Sequence, residues 1–202
     1  MPSSRLTRRL LAGALAVAVA ASLAACTRSA EADQYLDGDN KGYIAGDGRV
    51  VEIPEGERED PVAWEGETEH GEALSSDDTI GSVTVVNFWY AACGPCIVEA
   101  PDLEAVWQEF QDDGVRFVGV NTYDQADTAL AFAKDNGVTY PSLIDVNTGS
   151  AKLAFAAATP IQATPTTLVL DAQGRVAARI IGQLESASIL RTLVSDALDE
   201  SA

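Results

Sequence analysis

The sequence has few of the residues from which metal sites, disulfide scaffolds and nucleic-acid surfaces are built. Only three of its 202 residues are cysteine and one is histidine, too few for a disulfide-rich scaffold or a histidine-rich metal site. Its 13 lysines and arginines stand against 31 aspartates and glutamates, so the formal net charge is −18. This excess of acid argues against nucleic acid as a partner.

Apolar residues, in contrast, are plentiful. They make up 47% of the chain, and the mean hydropathy is +0.02, so the chain can bury a core and is too apolar to be disordered throughout. Its length predicts one domain. Each of the three cysteines therefore needs its own explanation.

The first cysteine follows a segment that is typical of export signals. Arg5, Arg8 and Arg9 precede an apolar run of about a dozen residues, 10–21, whereas a membrane-spanning helix needs roughly 20. We therefore predict a signal peptide over residues 1–25. The sequence leaves open whether export uses the general or the twin-arginine route.

Residues 23–26 read Leu-Ala-Ala-Cys and resemble the lipobox of bacterial lipoproteins. The resemblance implies that Cys26 is lipid-modified and anchors the mature chain to the extracytoplasmic face of the cell membrane. The alternative is an ordinary secretory peptide, cleaved at an Ala-x-Ala-like site, with a coincidental cysteine. Under both interpretations the protein is exported. The acidic, glycine-rich residues 26–48 are predicted to be a flexible tether, and residues 49–202 the folded domain.

The pattern of apolar residues in this domain alternates between strand and helix. Nearly continuous β-branched and apolar runs predict buried strands at residues 83–88 and 115–120. Shorter strands are predicted at residues 142–144, 166–170 and 176–181, and edge strands at 50–53 and 62–64. The turn at residues 171–174 indicates that the last two strands pair antiparallel.

Helices are predicted between these strands. The first helix begins after the second and third cysteines and runs to Phe110. The others are predicted at residues 127–136, 151–157 and 186–198. Residues 75–78 are expected to cap a short helical turn. The order of elements predicts an α/β fold with a mixed central sheet and helices on both faces.

The remaining cysteines form the motif Cys93-Gly94-Pro95-Cys96 at the junction of a buried strand and a helix. Two thiols at this spacing on a helical turn are close enough for a disulfide to form and open, and the helix N-terminus favours the thiolate of the first one. We expect Cys93 to be the exposed attacking thiolate. Cys96, farther down the helix, is expected to be the buried resolving thiol.

The segment around this motif resembles the exported thioredoxin-like reductases of the TlpA and cytochrome c maturation type. The resemblance rests on residues 85–89, the cysteine motif, Glu99, Pro101 and the Thr164-Pro165 pair before a late strand. It covers about residues 50–200. It implies a thioredoxin-like fold and a role in moving electrons to disulfides outside the cytoplasm.

The same resemblance implies roles for individual residues. Pro165 is expected to be a cis proline that faces the disulfide, and since proline has no backbone donor, neighbouring groups stay free to bind an incoming peptide. Thr164 is expected to contact both the partner and Cys93. Trp89, Gly94 and Pro95 are the expected neighbours of the reacting sulfurs.

Glu99 lies three residues past Cys96 on the same face of the predicted helix. In the family, a glutamate at this position is associated with proton exchange with the dithiol. Ordinary thioredoxins place an aspartate in the strand where this chain has Asn87, which makes Glu99 the obvious substitute. The alternative is an exposed first-turn glutamate that the helix dipole favours.

One position departs from the family. A tryptophan usually stands directly before the first cysteine, but this chain has Ala92 there, so the apolar contact surface for a partner is smaller. Tyr90 either replaces the lost ring or is a core or rim tyrosine. Trp89 is expected to pack beside the active site. Trp64 and Trp107 are expected in the core, and His70 at the surface.

These observations predict a membrane-anchored, extracytoplasmic thiol-disulfide oxidoreductase. It is expected to reduce protein disulfides, with apocytochrome c as one candidate substrate, and to take electrons from an upstream membrane donor. No metal and no cofactor beyond the Cys93–Cys96 disulfide is expected. The Gly-Pro dipeptide favours a reductase, since thioredoxin lies near −270 mV on the potential scale. The alternative is an oxidase that forms disulfides in exported proteins.

Three further classes are less favoured. A copper-delivery protein needs a histidine or another sulfur ligand near the two thiols, and His70 is remote in sequence. A peroxidase of the peroxiredoxin kind needs a threonine where this chain has Tyr90. A binding lipoprotein with a merely structural disulfide leaves the position of the pair, at a helix N-terminus, unexplained.

Overall fold

A computed structural model describes residues 49–161 and 163–201, which belong to one compact unit of the chain. The predicted signal peptide, the predicted lipid attachment at Cys26 and the predicted tether lie outside the described residues. Whether the folded domain begins at residue 49 stays a prediction.

The described residues form eight strands in two sheets. The strands are β1 (Val50–Glu52), β2 (Glu65–Glu67), β3 (Ala73–Ser75), β4 (Thr84–Trp89), β5 (Arg116–Asn121), β6 (Ser142–Ile144), β7 (Thr166–Leu170) and β8 (Val176–Ile181). Six of them form the main sheet in the order β1-β8-β7-β4-β5-β6, and β2 and β3 form a separate hairpin. In the main sheet β4, β5 and β6 are parallel, whereas β7 runs antiparallel to β4 and β8 antiparallel to β7 and β1.

Four α-helices are present in the described part of the chain. They are α1 (Gly94–Phe110), α2 (Ala126–Asn136), α3 (Ser150–Ala158) and α4 (Ala187–Glu200). Short 3-10 turns occupy Glu55–Glu57, Ser76–Asp78 and Gln111–Asp113. Gly137 ends α2 in the left-handed conformation, with φ of 71°, as its position in the sequence predicts.

The core divides between the two faces of the main sheet. On one face Val85 and Phe117 pack with Leu103 of α1 and Leu190 of α4. On the other face Phe88 and Leu168 pack with Phe155 of α3. Helices therefore cover both faces of a mixed sheet, which confirms the predicted thioredoxin-like architecture.

Most predicted elements are observed within one or two residues of their bounds, but residues 62–64 are not an edge strand. Val62 and Trp64 are buried, with 6% and 5% of their surface exposed, and the Val62 N–H donates to the Gly174 carbonyl. Their alternating pattern reflects core packing by an irregular segment. The β2–β3 hairpin was not predicted, because Glu65–Glu67 has the acidic composition of a loop.

The sheet brings two distant segments to one end. β4 ends at Trp89, four residues before Cys93, and α1 begins at Gly94. β7 begins at Thr166, directly after the Thr164-Pro165 pair, and Thr166 pairs with Phe88 near the end of β4. The cysteine motif and the proline loop therefore meet at the same end of these two strands.

Candidate active site

Cys93 and Cys96 form a disulfide across the first turn of α1, with their Cα atoms 5.2 Å apart. Cys93 is the N-cap of the helix, and its sulfur accepts the backbone N–H of Cys96 at 3.2 Å. In the reduced protein this donor and the partial positive charge of the helix N-terminus would stabilise a thiolate on Cys93. The order of roles predicted for the two cysteines fits this geometry.

The sulfur of Cys93 is not exposed in the disulfide state, so the expectation of an exposed Cys93 is wrong for this state. Cys93 and Cys96 each have only 2% of their surface exposed. The Cys93 sulfur lies 4.0 Å from the carbonyl oxygen of Thr164, because the loop before β7 covers it. The Thr164-Pro165 peptide bond is cis, as expected, and Gly94 and Pro95 between the cysteines are exposed.

Glu99 is buried in the second turn of α1, with 1% of its surface exposed, so the interpretation as an exposed glutamate is wrong. One carboxylate oxygen accepts the side-chain N–H of Asn87 at 2.9 Å, and the other accepts the backbone N–H of Leu184 at 2.7 Å. Burial raises the pKa of Glu99 to about 7 even though both hydrogen bonds lower it. At neutral pH this carboxyl group can both accept and release a proton.

Asn87 fixes the position of this carboxylate. It is buried, and its second side-chain N–H donates to the hydroxyl of Thr167 at 3.1 Å. Both donors of the amide group are therefore used, one toward α1 and one toward the neighbouring strand β7. The role of Asn87 as a partner of Glu99 was not predicted, although a polar side chain inside an otherwise apolar buried strand is the signal that could have found it.

Trp89 packs beside the disulfide, as expected. It is buried, its ring centroid lies 4.3 Å from that of Phe132 on α2, and its indole N–H donates to the Ser142 hydroxyl at 3.2 Å. The indole crosses β5 at Gly119, where an added Cβ would approach the indole nitrogen to 2.7 Å. Glycine at this position therefore allows Trp89 to reach β6.

The loop after β5 contacts the residues just before the cysteine motif, and this contact was not predicted. The backbone N–H of Ala91 donates to the Asp124 carboxylate at 2.6 Å, and the same oxygen accepts from the side chain of Asn121 at 3.0 Å. The Tyr123 ring, whose residue is 76% exposed, lies 5.6 Å from the ring of Tyr90. The side-chain oxygen Oδ1 of Asn121 accepts the backbone N–H groups of residues 123 and 124, a turn that the sequence Asn-Thr-Tyr-Asp could have indicated.

The other predicted aromatic and histidine positions are placed as follows. Trp64 is buried, whereas Trp107 packs against the core while staying partly exposed. The His70 side chain is 62% exposed, as expected. Within residues 49–161 and 163–201, no helix has both the length and the apolar character needed to cross a membrane.

Comparison with protein families places this site in a known group. Residues 59–179 match the AhpC/TSA family. Among curated proteins, the thiol:disulfide interchange protein HelX of Rhodobacter capsulatus is 36% identical over 104 residues, which cover 52% of this chain and 54% of that protein. The thiol-disulfide oxidoreductase ResA of Halalkalibacterium halodurans is 28% identical over 106 residues, or 52% of this chain and 57% of that protein. The chain thus matches just over half the length of these curated relatives.

Solved structures share the fold. A DsbF homologue from Corynebacterium diphtheriae superimposes with a TM-score of 0.62 at 30% sequence identity. The match covers 76% of this chain and 96% of that structure. The likeness therefore extends over nearly the whole of that protein.

Proposed function

The chain belongs to the AhpC/TSA family of thioredoxin-like proteins, and from that premise we propose that it is an extracytoplasmic thiol-disulfide oxidoreductase that reduces disulfides in other proteins. The observation that carries the proposal is the Cys93–Cys96 disulfide at the N-terminus of α1, with the buried carboxyl group of Glu99 one turn farther along the helix. The names of the curated relatives support the same reaction class.

In the first step the reduced protein attacks the partner. The Cys93 thiolate attacks one sulfur of the partner disulfide, so a mixed disulfide forms, and the other partner sulfur leaves as a thiolate that takes a proton from water. The N–H of Cys96 lies 3.2 Å from the Cys93 sulfur and lowers the energy of the attacking anion.

In the second step Cys96 resolves the mixed disulfide. Its thiol gives its proton to the carboxylate of Glu99 and then attacks the Cys93 sulfur. The bond between Cys93 and the partner breaks, and the released partner thiolate takes up a proton. Two electrons have passed from the protein to its partner, and the Cys93–Cys96 disulfide has formed. No other redox group is needed, but a dithiol donor, which we place in the membrane, must reduce the disulfide for the next turnover.

Cysteine variants test this function. Cys93→Ala should abolish reduction of insulin disulfides, whereas Cys96→Ala should still form, and then retain, mixed disulfides with partners. Cys26→Ala is the matched control, since it also replaces one cysteine by alanine yet should keep full activity in the purified protein. Insulin reduction by the Cys93→Ala variant would contradict the proposal. Apocytochrome c is proposed as a substrate, and it should be among the proteins that Cys96→Ala captures.

The direction of electron flow is tested by the reduction potential of the pair. We expect a value near or below about −250 mV, as for a thioredoxin-like reductase, whereas about −120 to −180 mV would indicate the oxidase alternative. The purified protein can be equilibrated with glutathione or dithiothreitol mixtures and followed by the fluorescence of Trp89, which packs in the same cluster as both cysteines.

We further propose that a lipid on Cys26 holds the protein at the outer face of the membrane. The lipobox-like sequence before Cys26 supports this attachment. The chain should label with radioactive palmitate and sediment with membranes, and Cys26→Ala should lose the label and the sedimentation together.

A further inference from the structure

An exposed aromatic pair lies next to the reacting disulfide. Tyr90 packs against the cluster that contains Cys93 and Cys96, and its carbonyl accepts the backbone N–H of Cys93 at 3.1 Å. Its ring contacts the ring of Tyr123, whose residue is 76% exposed. The two rings therefore extend from the buried sulfurs to the surface. The pair therefore forms part of the surface beside the disulfide that a partner protein can contact.

This pair is held in place by hydrogen bonds. Asp124 accepts the backbone N–H of Ala91 at 2.6 Å, which joins the loop after β5 to the loop before Cys93. The side-chain N–H of Asn121 donates to the same carboxylate oxygen at 3.0 Å. An aromatic surface that is already ordered loses little conformational entropy when a partner binds.

Two aspartates at the N-terminal end of α2 give this region negative charge. Asp124 uses one carboxylate oxygen for both of its hydrogen bonds, and Asp127 is exposed in the first turn of α2. Within the described part of the chain neither carboxylate forms an ion pair. Two full charges exceed the partial charge of about +0.5 at the N-terminus of α2. The whole chain adds attraction for cations, with a net charge of −18.

Resting on the proposed oxidoreductase function, we propose that Tyr90, Tyr123 and Asp124 bind a lysine or arginine side chain that lies beside the reactive cysteine of the partner protein. The apolar stem and the cationic end of such a side chain suit different parts of this site. The stem packs on the tyrosine rings, where the cation is also attracted to the ring faces. The charged end pairs with the free oxygen of Asp124.

The test is a set of peptides that each contain one disulfide, with arginine, leucine or glutamate next to the attacked cysteine. The reduced protein should reduce the arginine peptide about tenfold faster than the leucine peptide, in kcat/KM at low salt. It should reduce the glutamate peptide more slowly still. The preference for arginine should shrink at high salt, where the charge contribution is screened.

Two variants locate the preference. Tyr123→Ser removes the exposed ring, and Asp124→Asn removes the charge while keeping an oxygen for the Ala91 N–H. Each should lower the ratio of arginine to leucine rates toward one. Leu153→Ser is the matched control, because Leu153 is 74% exposed on α3, and it should keep the full ratio.

Hydroxyethyl disulfide, which carries neither charge nor peptide, separates the two proposals. If the wild-type protein reduces this compound but treats the three peptides alike, the basic docking position is wrong and the oxidoreductase function stands. If neither the compound nor any peptide is reduced, the oxidoreductase function itself is wrong. A preference that persists in both Tyr123→Ser and Asp124→Asn would place the docking position elsewhere.

Discussion

At the residue scale, Glu99 combines two environments that act on its pKa in opposite directions. Burial disfavours the charged carboxylate, while the N–H groups of Asn87 and Leu184 favour it. Burial has the larger effect, so the pKa rises from 4.5 to about 7. The group is thus suited to exchange a proton with Cys96 near neutral pH.

This pKa predicts how stability depends on pH. Between about pH 4.5 and pH 7 the folded protein binds more protons at Glu99 than the unfolded chain does, so the free energy of unfolding falls as the pH rises through this interval. Glu99→Gln removes the titrating group and therefore this decrease in the free energy of unfolding. Its stability relative to the wild-type protein should rise by about 2–3 kcal/mol between pH 5 and pH 8.

Urea unfolding at several pH values measures this difference. Glu59→Gln is the control, because Glu59 is exposed and its variant should stay parallel to the wild-type protein. If the Glu99→Gln curve also stays parallel, Glu99 titrates at an ordinary pKa and the proposed proton acceptor has no special property.

The residues proposed to take part in the reaction were predictable from the sequence, but the side chains that hold them were not. Cys93, Cys96 and Glu99 lie within seven residues of one another, and helical spacing alone relates them. Asn87 meets Glu99 only because β4 lies beneath α1, and it meets Thr167 because the register of β4 and β7 places them opposite each other. Local patterns do not specify such a register.

At the scale of elements, β5 is shaped to let a side chain cross it. Gly119 faces the indole of Trp89 and the hydroxyl of Ser142. A methyl group there would collide with both, so Gly119→Ala should break their hydrogen bond and lower the free energy of unfolding by about 1–3 kcal/mol. The fluorescence of Trp89 should change in the folded protein.

Urea unfolding checks this prediction, with Gly56→Ala as the control. Gly56 has no atom within 4 Å of an added Cβ and lies in the 3-10 turn Glu55–Glu57. Its variant should unfold within about 0.5 kcal/mol of the wild-type protein. Equal stability of both variants would mean that β5 and β6 can separate without cost.

The elements also show where prediction from the sequence succeeds. Strands β6, β7 and β8 have the predicted bounds, because turn residues flank these short runs of mostly apolar and β-branched residues. Trp64 was assigned to a strand because its segment is apolar, yet it fills the core beside Phe155 at a ring distance of 6.2 Å. Burial produces the same short apolar pattern in a strand and in an irregular segment.

At the scale of the whole molecule, one buried arginine connects the beginning and the end of the described chain. The side chain of Arg58 is 4% exposed and pairs with Asp171 at 3.0 Å, with Glu200 at the end of α4, and with the carbonyl of Ile53 at 2.9 Å. Arg58→Met should lower the free energy of unfolding by about 1–3 kcal/mol. The loss is limited because Arg175 still pairs with Asp171 at 2.8 Å.

Thermal and urea unfolding measure this effect. Arg191→Met is the matched control, since Arg191 pairs with Glu109 at the surface, where both side chains are about 40% exposed, and such pairs contribute at most about 1 kcal/mol. If the two variants lose the same stability, the contacts of Arg58 contribute no more than an ordinary surface pair.

The main sheet is closed at its β6 edge. The residues after β2 cover it, since Thr68 forms a β-bridge with Leu143, the backbone N–H of Glu69 donates to the Ser142 carbonyl, and the Ser142 N–H donates to the Glu69 carboxylate at 2.7 Å. The opposite edge is the three-residue strand β1. Unfolded chains add most readily to long open strand edges. The described domain therefore offers other chains little open strand edge on which to add. In the proposed reaction, a partner would meet the cysteine pair without pairing with the sheet and could separate once the disulfide has been exchanged.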